Sequence, residues 1–130
     1  MLRRSLITLA AVVAVLAGVH NARAATDAAA LGRKQFAKCA ACHSLQEGAH
    51  LMGPSLAGLQ GRQVGRVEGF LFSPALEGST AVWDRETLSA FLENPAGYLP
   101  GTVMPFGGLR DQAQREALID YLFSESGAGS

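Results

Sequence analysis

The chain holds two cysteines, Cys39 and Cys42, with two alanines between them and a histidine directly after: Cys39-Ala40-Ala41-Cys42-His43. A redox dithiol of this spacing normally sits in a βαβ context, and no such pattern surrounds the pair. A zinc site wants a second cluster of ligands, and beyond His50 only scattered carboxylates are available. A disulfide across two residues would close a tiny loop and restrict the unfolded chain little. Covalent haem attachment uses every member of the motif. Two thiols so spaced can form thioethers to vinyl groups on adjacent pyrroles. The next residue is then carried under the ring, where its imidazole can bind iron.

A haem held by one histidine leaves the other face of its iron open, and a methionine thioether is the ligand that closes it while raising the potential. After Met1 the chain has two methionines, Met52 and Met104. Met52 follows Cys42 closely and precedes Gly53-Pro54, a poor position from which to reach the far face. Met104 lies in Pro100-Gly101-Thr102-Val103-Met104-Pro105-Phe106. The prolines stiffen that loop and hold the thioether at little ordering cost. Methionine is usually a core gap-filler, but a Pro/Gly loop is an odd place for one. The sequence therefore favours Met104 as the metal ligand opposite His43.

These residues need elements to hold them. Thr26 or Asp27 offers a cap for a helix to about Cys39, with Leu31, Gly32 and Phe36 on one face. From Ser44 to Val82 glycines come so often that long regular elements have little room. A stretch like that makes sense if the chain wraps something that supplies the missing core. Asp84 can cap a helix to about Leu92. Asn94-Pro95 reads as a fresh cap for a short turn to Tyr98. Asp111 can cap a last helix to about Phe123, with Leu118, Tyr121 and Leu122 on its apolar side, before a polar tail from Ser124 to Ser130 that is expected to fray.

The first stretch is set aside from the fold. Arg3 and Arg4 precede an apolar run from Leu6 to Val19, followed by Ala22-Arg23-Ala24. That order reads as a secretory signal peptide over residues 1–24, cleaved after Ala24. The alternative is a retained anchor, for which the run is short of the roughly 20 apolar residues that span a bilayer. The mature domain would be residues 25–130. Removing Arg3, Arg4 and Arg23 leaves eight basic against eleven acidic residues, a formal charge of −3. With no basic run, nucleic acid and anionic membranes are excluded as partners. No stable membrane insertion is expected, and a domain this small often needs a cofactor as its staple.

The ordered series of motifs resembles class I cytochrome c, the mitochondrial-like branch also found in bacteria. It runs from Gly32-Arg33-Lys34-Gln35-Phe36 through Cys39-x-x-Cys42-His43, Gly53-Pro54-Ser55-Leu56, Gly58-Leu59-Gln60-Gly61-Arg62, Gly69-Phe70 and Trp83. It ends with Leu92-Glu93-Asn94-Pro95, Tyr98-x-Pro100-Gly101-Thr102-x-Met104-x-Phe106 and Leu118-Ile119-x-Tyr121-Leu122. The resemblance implies an all-α cytochrome c fold, with three main helices, a short one and long loops wrapping one covalently bound haem c. It implies that Gly32 lets the first and last helices approach, with Phe36, Leu118 and Tyr121 in the contact. Pro54 would present its carbonyl to the His43 ring N–H, Arg62 and the Trp83 indole would partner a haem propionate, and Thr102 would help hold the Met104 loop. His50 would brace its own loop.

The departures from the family pattern are specific. Phe91 and Phe72 stand where the family usually has tyrosines near the methionine sulfur and a propionate, and Leu76 where it has asparagine. Three polar neighbours of the haem are thus apolar here, which should shift the potential from mitochondrial values. Only Lys38 remains of the lysines that ring the exposed haem edge; Ala96, Gly97, Val103 and Gln112 occupy other such positions. Association is then expected to depend weakly on salt, with the partner face a small apolar patch around Val103, Pro105 and Phe106.

Three functions compete. The first is a free, monomeric single-electron carrier in the periplasm, docking on a respiratory complex. The second is a dedicated electron acceptor of a periplasmic dehydrogenase, with the same haem chemistry. The third, a peroxidase or gas-binding protein, needs an open sixth position and an acid–base constellation the sequence lacks; an enzyme is not expected.

Overall fold

The computed structural model describes residues 2–127, with side chains from residue 18 onward, Ser126 excepted. It contains five helices among these residues: α1 (Leu2–Phe36), α2 (Pro74–Glu77), α3 (Arg85–Glu93), α4 (Pro95–Tyr98) and α5 (Gln112–Ser126). No strand is formed among them; one isolated antiparallel bridge joins Gln63 to Val82. The chain is therefore predominantly helical.

Three of the expected starts are built as caps. The Asp84 carboxylate accepts from the Thr87 N–H at 2.8 Å, Asn94 from Gly97 at 3.1 Å and Asp111 from Gln114 at 2.9 Å. Each satisfies an N–H that the first helical turn leaves without a partner. The expected start at Thr26 or Asp27 is different: α1 runs straight through it, and the Thr26 hydroxyl donates back to the Ala22 carbonyl at 2.8 Å. Inside a helix the hydroxyl uses that carbonyl and has no free N–H to cap. The helix stops at Phe36, and Cys39 lies in the turns that follow. The last helix runs to Ser126, three residues past the expected end and into the polar tail; Ala128 to Ser130 lie outside the described residues. The short α2 was not foreseen: Ser73-Pro74 starts one turn inside the glycine-rich stretch.

Helices α1 and α5 form the main helix contact. Gly32 makes it possible: a Cβ there would run into the Ala117 carbonyl and lie 2.7 Å from Tyr121 Cβ. Beside this crossing the Phe36 and Tyr121 rings meet at 5.6 Å. Leu118, Ile119 and Leu122 of α5 and Leu88, Phe91 and Leu92 of α3 form one buried cluster with Leu59, Val64, Trp83 and Leu109 from the loops. Upstream of Leu31, residues 18–30 are exposed on every face of α1 and contribute nothing to this cluster.

Candidate haem centre

The site begins where α1 ends. The His43 N–H bonds the Cys39 carbonyl at 2.9 Å, so the motif forms one helical turn that sets both cysteines and the histidine. Cys39 and Cys42 are free thiols, each half-buried. Burial pushes the Cys39 thiol above its ordinary range, opposed by the neighbouring Lys38 ammonium, so the neutral thiol is favoured. The Lys38 Nζ is itself held on Gln35 Oε1 at 2.6 Å.

The His43 imidazole is fixed from behind. Its Nδ1 lies 2.8 Å from the Pro54 carbonyl oxygen, which can only accept, so Nδ1 carries the proton. Nε2 is left with its lone pair, the form that binds a metal. Gly53 leaves room for the ring: a Cβ there would sit 2.7 Å from Nδ1. The Gly53 N–H closes the loop onto the Cys42 carbonyl at 2.7 Å. His50, by contrast, has both ring nitrogens engaged with backbone. Nδ1 accepts from the Ser55 N–H at 3.0 Å and Nε2 donates to the Glu68 carbonyl at 2.8 Å.

The two methionines have opposite environments. Met104 is partly buried and packed against the core cluster, whereas Met52 is 77% exposed. The Met104 loop is held at its start by the Thr102 N–H on the Leu99 carbonyl at 3.0 Å.

Arg62 and Trp83 are brought together by their backbones, with the Trp83 N–H on the Arg62 carbonyl at 2.8 Å. Trp83 is buried, its ring 5.1 Å from that of Phe91. The Arg62 guanidinium spends Nη1 on the Ala57 carbonyl and Nη2 on Ser55, at 2.9 and 3.1 Å. Its Nε is buried with no partner within the protein, and so is the Ser73 hydroxyl. Buried polar groups without partners are rare and costly, and a carboxylate reaching the Arg62 guanidinium would satisfy its Nε. Burial lowers the Arg62 pKa, yet arginine stays charged in proteins. Sequence reasoning missed Ser73. Its residue type carries no signal; only the burial of its unpaired hydroxyl singles it out.

A thiol pair, an imidazole with a free Nε2, a half-buried thioether and two orphaned donors suit a haem with its iron, vinyl groups and propionates. The family described as Cytochrome c matches residues 29–125. The chain belongs to the cytochrome c family. It is 46% identical over 86 residues to cytochrome c of Stellaria longipes, covering 65% of this chain and 80% of that protein. It is 45% identical over 89 residues to cytochrome c2 iso-2 of Magnetospirillum fulvum, covering 68% and 93%. The solved structure of cytochrome cH from Methylobacterium extorquens is similar with a TM-score of 0.69 and 38% identity, covering 74% of this chain and 97% of that one. As a cytochrome c the chain has the class I fold, carries one covalently attached haem c, and is an electron carrier.

Proposed function

We propose that this cytochrome c is a periplasmic single-electron carrier whose haem iron is bound by His43 and Met104. The observation that carries the reading is the His43 ring, whose proton is committed to the Pro54 carbonyl so that Nε2 is free for iron. Met104 would be the second iron ligand, because it is the methionine packed against the core, while Met52 is exposed. When bound, the haem supplies an iron that stores one electron. The protein's own residues do the rest. Cys39 and Cys42 anchor the ring, Pro54 orients His43, and Arg62 and Trp83 hold a propionate. Thr102 steadies the Met104 loop.

Docking is by a small apolar face. Val103, one residue from Met104, is 78% exposed, and Lys38 is the cation beside the attachment motif. A surface of this kind suits the small, transient encounters of redox proteins. It suits a periplasmic dehydrogenase as donor as well as a respiratory complex. The leader reading is supported by the exposure of residues 18–30, which places the cleavage point after Ala24 within an exposed stretch of α1. No described helix is long and apolar enough to cross a membrane.

The reading is tested by isolating the protein from the periplasmic fraction of an expressing bacterium, sequencing its N-terminus and titrating it electrochemically. It expects Ala25 as the first residue and a reversible one-electron wave. A multi-electron or irreversible response, or retention in the membrane with an intact leader, contradicts it.

A further inference from the structure

Electron transfer through His43 and Met104 leaves one buried charge without a role. Arg115, on α5, is 7% exposed. Its Nη1 donates to the carbonyls of Leu109 and Arg110 at 2.9 and 3.1 Å, and its Nε to the Ser89 hydroxyl of α3 at 2.9 Å. The half-exposed Glu93 carboxylate lies 3.7 Å away. Leu109 and Arg110 end the loop that carries Met104. That end is tied to α3 twice more. The Leu109 N–H bonds the Leu92 carbonyl at 2.7 Å, and Gly108, at φ +102°, presses so closely on the Glu93 carbonyl that a Cβ would collide with it. Upstream the loop is held at Thr102 and Leu99. Residues 103–107, with Met104 and Phe106 packed against the core cluster, therefore lie between two anchors, and Arg115 is a side chain that hydrogen-bonds the downstream anchor to both α3 and α5.

We propose that Arg115 is the positioning residue of the Met104 thioether: by fixing residues 108–110 it sets how readily the sulfur leaves the iron. The inference rests on Met104 being the ligand. Its physical basis is the cost of leaving the buried Leu109 carbonyl and the part-buried Arg110 carbonyl without a donor. Arginine's fork reaches two carbonyls and a hydroxyl at once, which an ammonium cannot reproduce. Local opening of the loop, short of global unfolding, is the motion it would suppress.

The test uses the matured, haem-loaded protein as wild type, Arg115→Gln, Arg115→Lys and Arg85→Gln. The last breaks only the exposed Arg85–Asp120 pair on the same two helices. Imidazole is titrated into each ferric protein while the sulfur-to-iron charge-transfer band is followed. Amide exchange is read at Leu109 and at Leu118 in the α5 core. With buried carbonyls left unpaired, R115Q is expected to bind imidazole about tenfold more tightly, with R115K intermediate and R85Q within about twofold of wild type. Leu109 exchange should accelerate more than Leu118 exchange. Should R115Q fail to take up haem, R115K decides. Unchanged imidazole affinity in the Arg115 variants overturns the proposal. So does an increase in which Leu118 exchange accelerates as much as Leu109, since that is the mark of a merely structural residue. A wild-type protein with no charge-transfer band overturns the Met104 assignment itself and this inference with it. A normal wild type with inert variants overturns the positioning role alone.

Discussion

His43 has one bond that decides its tautomer and one neighbour that decides its space, and both can be tested by substitution. In Gly53→Ala the new methyl enters the imidazole ring's volume. Overpacking of this kind costs roughly 1–3 kcal/mol. A lowered denaturant midpoint and an altered haem spectrum are expected, whereas an unchanged midpoint would show that the loop gives way freely. At the far face the two methionines should behave oppositely. Met104→Ala is expected to abolish the sulfur-to-iron band and to let the ferrous protein bind carbon monoxide, while Met52→Leu changes neither. Cys39, Cys42, His43 and Met104 stand out in the sequence by type and spacing. Ser73 and Arg115 do not. Serine and arginine are ordinary surface residues, and it is the burial of the Ser73 hydroxyl and the Arg115 guanidinium that gives them meaning.

The elements carry their own expectations. Glycine in a helix normally gains roughly 0.5–1 kcal/mol on replacement by alanine. At Gly32 the sign reverses. The added Cβ meets the Ala117 carbonyl, a backbone atom that cannot rotate aside, and overpacking of roughly 1–3 kcal/mol outweighs the gain. Thermal unfolding of Gly32→Ala in the haem-loaded protein should therefore show a lower midpoint than wild type. The α3 cap gives a pH effect. Hydrogen bonds from Thr87, its backbone N–H first, hold the exposed Asp84 carboxyl below the ordinary carboxylate range. The stability this contributes is complete above the unfolded pKa of about 3.9 and is lost as pH falls through the lower folded value. Asp84→Asn keeps the acceptor and removes the titration. The stability difference between wild type and D84N should thus shrink as urea midpoints are compared from neutral pH to pH about 3. Caps at Asp84, Asn94 and Asp111 were readable because each is a local bargain between one side chain and the next turn. The start of α1 and the existence of α2 were not. Continuity of α1 through Thr26 depends on the alanine-rich run on both sides, and α2 is a single proline-led turn in a stretch whose glycines all signal loop.

At the scale of the whole molecule, the all-α architecture and the crossing of first and last helices followed from the motif series, and Gly32, Phe36 and Tyr121 meet as that series implies. The anchoring of the Met104 loop on α3 lay beyond the sequence, since it depends on long-range contacts such as Leu109 on Leu92. The exposed surface gives a further expectation. With Lys38 the one cation beside the attachment motif and Val103 exposed, the rate of reduction by a donor should change less than about threefold between low and physiological ionic strength, because steering by a charged ring is missing. Stopped-flow measurements at a series of salt concentrations check this, and a steep fall with salt would point to a charged docking face. Electron transfer as proposed requires a haem iron closed by His43 and Met104. An absorption spectrum of the matured protein, oxidised and then reduced with and without carbon monoxide, tests it most directly. Closure by Met104 gives a sulfur-to-iron charge-transfer band in the oxidised protein and no spectral change when carbon monoxide meets the reduced one. Absence of the band together with ready carbon monoxide binding would contradict it and make an open-iron enzyme or sensor the better reading.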